Sequence, residues 1–306
     1  MGQVEFVTVT PEEAGQKLLQ FLQRRVDKNV PKSAMMRWIR TGQVRVNKGR
    51  TKPFIRLELD DMVRIPPYTI EESALSSEQR KEEQGSAKEN IELTIVGEAD
   101  GLLVLHKPAG LPVQPGTGHT DAVTTRLKLK YADAPFCPTP AHRLDKNTSG
   151  LLLVATSYTR LQELHELFRN EHALGKHYLA WVEGSWEHSE AVQLHDQLSK
   201  QTQEDGKERI ETGEGKDSLC TVTPLLVTDK KSLLYISLQT GRTHQIRVQL
   251  SSRNHPIIGD VKYNGSPNPQ GMLLHAWRIV LPTEKFICLP TWEHPFDVGN
   301  ELVDKI

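Results

Sequence analysis

The sequence predicts an α+β fold: a twisted mixed sheet with flanking helices, preceded by a small basic unit. Three observations carry that reading. From residue 91 onward, strand-like and helix-like runs follow one another without regular alternation, which argues against a doubly wound parallel sheet. Residues 14–66 hold thirteen Lys and Arg against four acids, a local balance of +9 in a chain of net charge −1. Between these regions lies an acidic stretch, 71–92, with seven Glu against three cations and almost no large apolar residues.

The basic head reads as two helices and a strand. Leu18, Leu19, Phe21 and Leu22 fall at helical spacing. Ser33 is the expected N-cap of a second helix over 34–40, and Gly42 its stop. Met35, Met36 and Ile39 suit its core face, while Arg37 and Arg40 lie three apart on an outer stripe. Val44-Arg45-Val46 alternates as a strand and enters a turn at Asn47-Lys48-Gly49. Met62-Val63-Arg64-Ile65 closes the unit before Pro66-Pro67. Such a density of cations on about fifty residues suits an RNA backbone. The bland alternative is a solvated basic face.

The acidic stretch reads as a solvated linker over 68–90. Beyond it, strands are expected at 93–96, 102–105, 178–182, 218–222 and 233–238. Leu161, Leu164, Leu167 and Phe168 place a helix over 159–169. Gln245, Arg247 and Gln249 alternate with Ile246, Val248 and Leu250, which predicts a half-buried strand with Arg247 on its polar face.

Several function classes have no support. The chain has 306 residues, enough for two domains without disulfides or metals. No apolar run approaches the ~20 residues of a membrane span, and Met1–Phe6 lacks the pattern of a secretory leader. Cys137, Cys220 and Cys288 lie far apart with no CxxC pair, as expected of small buried side chains in a reducing compartment. There is no GxGxxG and no GxxxxGK[ST], so nucleotide-cofactor chemistry is not expected. Among twelve His, His165 and His172 are seven apart and no HExxH exists, so no metal site is expected.

One segment stands out for chemistry: Ala141-His142-Arg143-Leu144-Asp145-Lys146-Asn147-Thr148-Ser149-Gly150. It lies between a proline-rich approach (Pro135, Pro138, Pro140) and the apolar run Leu151–Ala155. Polar residues ending in glycine just before a buried strand predict a rigid loop at a sheet edge, a common place for functional side chains. Arg143 and Lys146 favour an ionised Asp145, which can serve as nucleophile or base. An Asx-turn or capping aspartate is the ordinary alternative.

The blocks of this chain resemble those of the RluA-type pseudouridine synthases. His142-Arg143-Leu144-Asp145-x-x-Thr148-Ser149-Gly150 is similar to the family's signature. His106–Val113, Lys176–Gly184, Gly241–Gln249, His255–Asp260 and Leu274-His275-Ala276 match further blocks in the same order. The resemblance spans about residues 91–300. Gln249 stands where the family usually has histidine. The head, through Lys32-Ser33, Arg37, Ile39, Gly42, Val44, Val46 and Asn47, resembles the alpha-L RNA-binding domain.

The resemblance implies an alpha-L domain at 13–67 and a catalytic domain at 91–306 with the pseudouridine synthase fold, its sheet largely antiparallel. It implies an isomerase that converts uridines of RNA, most of all large-subunit ribosomal RNA, to pseudouridine. Asp145 would be the catalytic carboxylate, acting at C1′ as nucleophile or at C2′ as base. Tyr178 would lie against the target base and assist proton transfer at C5, and Arg247 would pair with Asp145. Arg143 would help extrude the uridine; His142, Arg242 and His244 would contact substrate; Lys32, Arg37, Arg40 and Arg45 would contact RNA. The reaction consumes no oxidant or energy source, so no cofactor and no metal are expected. A cytoplasmic monomer with no membrane association is expected. Two rivals stay in view. A non-catalytic RNA binder would have no physical reason to keep Asp145, Tyr178 and Arg247 together. A carboxylate glycosidase would need a second paired acid.

Overall fold

The computed structural model describes residues 3–26, 30–68, 92–116, 121–170, 173–202 and 208–303. The linker expected over 68–90 lies, apart from Tyr68, outside these residues, as does His172. The chain forms two compact units. One draws on Met1–Glu92, Leu127–Thr139 and Ala155–Gln162; the other on Leu93–Arg126, Pro140–Val154 and Glu163–Ile306.

In the first unit, β1 (Glu5–Thr8), α1 (Leu18–Arg25), α2 (Lys32–Arg40), β2 (Arg45–Val46) and β3 (Met62–Ile65) follow in order. The three strands form an antiparallel sheet in the order β1-β3-β2. Leu18, Leu19, Phe21 and Leu22 of α1 are buried with Met35, Trp38 and Ile39 of α2, and Val63 and Ile65 of β3. Strand β1 was not expected, because only Val7 of its four residues is buried and the run shows no apolar alternation. Helix α2 also differs in detail. Pro31 occupies the N-cap and Ser33 lies inside the first turn. Trp38 takes the core position expected for Met36, which is only partly buried. Arg37 and Arg40 are exposed, as the stripe predicts.

The later elements in chain order are β4 (Thr94–Ala99), β5 (Leu102–Lys107), α3 (Val123–Lys130), β6 (Thr139–Pro140), β7 (Ser149–Ala155) and α4 (Tyr158–Arg169). Next come β8 (Gly175–Glu183), β9 (Val192–Thr202), β10 (Glu208–Thr212), β11 (Lys216–Val227) and β12 (Lys231–Leu238). The series ends with α5 (Gln245–Ser251), β13 (Leu274–Val280), β14 (Lys285–Ile287) and α6 (Asn300–Val303). The sheet runs β10-β9-β11-β12-β8-β13-β7-β5-β4, with β14 on β13 and β6 on β7. It is mixed and largely antiparallel, as expected: β7 and β13 pair in parallel, whereas β8, β9, β11 and β12 join antiparallel neighbours.

The apolar run Leu151–Ala155 is buried on both faces, in a strand flanked by β13 on one side and β5 on the other. A fully buried leucine contributes about 1.5–3 kcal/mol, so β7 is a rigid base for the loop that precedes it. Gly150 makes that pairing possible. Its φ is +115, and a Cβ there would lie 2.3 Å from the Ala276 carbonyl oxygen. Only glycine lets β7 approach β13 this closely.

Candidate active site

The loop before β7 is tied down along its backbone. Thr148 N–H donates to the Asp145 carbonyl at 3.1 Å, closing a turn. The Lys146 carbonyl accepts from Gly110 N–H at 2.9 Å and from Lys107 Nζ at 3.1 Å. Lys107 is fully buried, and its Nζ also donates to the Pro108 and Leu111 carbonyls at 2.8 and 2.9 Å. Burial, opposed by the charge of Asp145, brings its pKa down to about 7. The Asp145 side chain makes no Asx-turn bond to this loop. Its Oδ2 accepts from Arg247 Nη1 at 3.1 Å, and His244 Nε2 lies 3.7 Å away.

Arg247 comes from a helix, not from the strand expected over 245–250. Every residue of α5 from Gln245 to Leu250 is buried. The two-residue alternation of polar and apolar side chains therefore does not separate solvent from core. Each polar member is buried because its hydrogen bonds are met inside the protein. Gln245 accepts from Thr240 Oγ1 at 2.8 Å and from Arg242 N–H at 3.0 Å. Gln249 donates to Asp196 Oδ2 at 2.8 Å and accepts from Cys220 Sγ at 3.3 Å. This structural network is what holds Gln249 inside the protein. Burial opposes the charge of Arg247, but its bonds to Asp260, and then to Asp145, outweigh it and raise the pKa.

Tyr178 is supplied by β8, on the same face as Ala180 and Val182, packed against Ile246 and Leu274. Asp145, Tyr178 and Arg247 line one cavity of about 100 Å³, together with Arg143, Thr148, Arg242, His244 and Leu274. Burial, reinforced by the Asp145 charge, pushes the Tyr178 phenol well above its ordinary range, so it is protonated at neutral pH. Arg143 is exposed at the cavity edge. Arg242 Nε donates to the Asp217 carbonyl at 2.9 Å. His244 Nδ1 pairs with the Tyr263 hydroxyl at 2.7 Å, and burial lowers its pKa to about 4.

His142, expected to contact substrate, is not among the residues lining the cavity. Its Nε2 accepts from Leu153 N–H at 3.0 Å, its ring packs on Phe168 at 4.7 Å, and burial takes its pKa down to about 4. It anchors the loop to β7. In the other unit, Arg37 and Arg40 line a groove of about 830 Å³ with Ser33, Met36, Ile39 and Lys52. Arg45 lines a second groove with Lys48, Arg64 and Phe6. Lys32 is exposed on the first turn of α2.

The sequence reading missed three supporting residues: Lys107, Asp260 and Tyr263. Two lie inside matching blocks, but a charged residue in a motif does not announce whether it faces substrate or another side chain. A metal has one candidate cluster among the described residues, His106, His275 and Cys288, with ligand atoms within 4.8 Å of one another. His275 spends both ring nitrogens already, on Ser149 Oγ at 2.8 Å and the Cys288 carbonyl at 2.9 Å. The carbonyl must take the Nε2 proton, so the remaining lone pair accepts from Ser149.

The sequence profile described as RNA pseudouridylate synthase matches residues 101–252. The ribosomal large subunit pseudouridine synthase C of Pasteurella multocida is 38% identical over 289 residues, covering 90% of this chain and 85% of that one. The chain belongs to the RNA pseudouridylate synthase family. The Escherichia coli ribosomal large subunit pseudouridine synthase C is 40% identical over 268 residues, covering 85% of this chain and 80% of that one. Among solved structures, human RNA pseudouridylate synthase domain containing 1 superposes with a TM-score of 0.55 at 25% identity, covering 70% of this chain and 94% of that chain. This pseudouridine synthase is therefore an isomerase that turns uridine in RNA into pseudouridine, on the fold its family shares.

Proposed function

We propose that this pseudouridine synthase acts on uridines of large-subunit ribosomal RNA, with Asp145 as its catalytic carboxylate, Arg247 holding it and Tyr178 against the target base. The observation that carries the assignment is the Arg247 Nη1 to Asp145 Oδ2 bond, at 3.1 Å, in a cavity that Tyr178 also lines. Isomerisation breaks the bond from C1′ to N1, turns the uracil and joins C1′ to C5. An ionised carboxylate at the sugar opens that route, at C1′ as nucleophile or at C2′ as base. Chemistry at the bond between sugar and base needs the target out of its stack, so the uridine enters the cavity flipped out. There Tyr178 packs on the base and assists proton transfer at C5, whose hydrogen leaves as a proton when C1′ joins it while N1 takes one up, and Arg143 at the rim fills the gap left in the RNA. Arg242 and His244 meet the adjoining backbone.

Residues 13–67 serve as an RNA-docking domain, joined through 68–90 to the catalytic part at 91–306. Exposed Lys32, Arg37, Arg40 and Arg45 bind phosphates there. The large subunit as target is favoured by the similarity to enzymes named for it, over 85% or more of this chain. A monomer working in the cytoplasm, where ribosomal RNA is made and assembled in a bacterium, fits this role, and no described helix is long and apolar enough to cross a membrane. The test is a pseudouridine map of ribosomal RNA from cells lacking the gene. Loss of one or more large-subunit sites, restored by the wild-type gene and not by an Asp145→Asn version, is expected. An unchanged map overturns the choice of target.

A further inference from the structure

The guanidinium of Arg247 is shared unequally. Its Nε and Nη2 donate to Asp260 Oδ2 and Oδ1 at 2.7 and 2.8 Å, a bidentate pair, and only Nη1 reaches Asp145, at 3.1 Å. The Asp260 side chain is 2% exposed against 21% for Asp145. Both Asp260 oxygens are spent on the arginine, so Asp260 does not touch substrate from this position.

The backbone around Asp260 is pinned as well. Asp260 N–H donates to the Ile257 carbonyl at 3.0 Å, and the Asp260 carbonyl accepts from Tyr263 and Gly265 N–H at 3.0 and 2.9 Å. Gly259, at φ +87, sets up the turn; a Cβ there would lie 2.0 Å from the Gly271 carbonyl oxygen. Tyr263 ends the same short turn. Its ring lies 4.9 Å from Arg247 Cζ and its hydroxyl meets His244 Nδ1 at 2.7 Å. One turn, 260–263, thus backs both side chains that face Asp145.

We propose that Asp260 is a positioning residue for the isomerisation, acting through Arg247 on Asp145; the inference rests on the proposed role of Asp145. Asp260 does two things. It fixes the plane of the guanidinium, so that one N–H points at one oxygen of Asp145. It also offsets the arginine charge, so that the three groups together keep one negative charge. A lone bidentate Arg247–Asp145 pair would instead be neutral, with both carboxylate oxygens engaged. The arrangement orients the Asp145 carboxylate without quenching it.

The test follows tritium release from ribosomal RNA labelled at uridine C5, with the full-length enzyme and single and double variants. Asp260→Asn is expected to lower kcat about 10- to 100-fold with KM within about 3-fold of wild type, as misaimed groups do. Because Asp260 acts through Arg247, Arg247→Gln/Asp260→Asn should turn over no more slowly than Arg247→Gln alone. That double variant places neutral hydrogen-bonding groups at both ends of the buried pair, so it remains informative if Asp260→Asn alone does not fold. A folded Asp260→Asn enzyme with wild-type kcat, a loss confined to KM, or losses that multiply in the double variant would overturn the inference. Asp145→Asn separates the two levels. Turnover retained in that variant overturns the reading of the site and this inference with it. Turnover lost there, with Asp260→Asn fully active, overturns the inference alone.

Discussion

Arg37 and Arg40 are exposed on one face of a nine-residue helix, whereas Arg247, with a side chain 7% exposed, is buried between two carboxylates. Under the proposed function the two kinds of arginine do different work. In the basic head, charge acts by density: any cation on that face lowers the free energy of a nearby phosphate, and none has a unique geometry. At the cavity, charge acts by placement. One N–H of one guanidinium, 3.1 Å from one carboxylate oxygen, is what matters there. Substitutions at the head should therefore change affinity and its salt dependence, and substitutions at the cavity should change turnover.

The widest separation comes from Asp145→Asn. It removes the ionised oxygen and keeps the shape, so turnover should fall on the order of 10⁴-fold while RNA affinity stays within about 3-fold. Gel-shift titration beside tritium release reads both quantities. A large drop in affinity would show that the cavity, too, works by density. Tyr178→Phe keeps the ring and removes the hydroxyl. Turnover should fall about 10²-fold, the ordinary worth of one proton-transfer group, with little change in binding. Full activity in that variant would leave Tyr178 only a stacking role.

Histidine sharpens the contrast further. Residues 1–105 contain none, and all twelve lie from His106 onward. Burial lowers the pKa of His142 to about 4 and of His275 to about 3. Unfolded, both would titrate near 6.5. The unfolded state therefore takes up these protons first as pH falls. The stability these groups contribute is complete above pH 6.5 and is lost on descent toward pH 4 and 3. Between pH 7 and 5 each costs about 2 kcal/mol, on the order of 4 kcal/mol together. Urea titrations of a Trp38→Phe protein check this, because the remaining tryptophans lie at 181, 186, 277 and 292. Equal unfolding free energies, extrapolated to zero urea, at pH 7 and 5 would contradict the burial argument.

Much of this organisation is legible in the sequence, and the misses share a cause. Strands β5, β7, β8, β11 and β12 announce themselves as dense apolar runs. The loop at Asp145 announces itself by its contrast with Leu151–Ala155. Helix α5 misled because Gln245, Arg247 and Gln249 imitate a solvent face while every one of them is buried and paired. A sequence shows polarity but not partners, and the partners here lie far along the chain: Asp145 is 102 residues from Arg247, and Gln249 is 53 from Asp196. The partner of His142 was hidden for the same reason: its Nε2 accepts from the backbone N–H of Leu153, and its ring does not line the cavity. Asp260 and Lys107 escaped notice because each acts through another residue, and nothing in composition or period marks that.

The smallest effect tests the head alone. Arg37→Gln/Arg40→Gln removes two exposed cations from the groove they line with Lys52. Neither side chain belongs to the core of that unit, which Met35, Trp38 and Ile39 supply from the same helix, so folding should be unchanged. RNA affinity should weaken about 10-fold at moderate salt, and the slope of log affinity against log salt should become shallower by about 1 to 2, one ion released per contact. The value of kcat at saturating RNA should not move. Because exposed charges act additively and through solvent, added salt should shrink the difference between variant and wild type until the two bind alike. A difference that persists at high salt would mean that Arg37 or Arg40 makes a specific, desolvated contact. The head would then work by placement as well, and the division between the two kinds of arginine would fail at the point where it is easiest to measure.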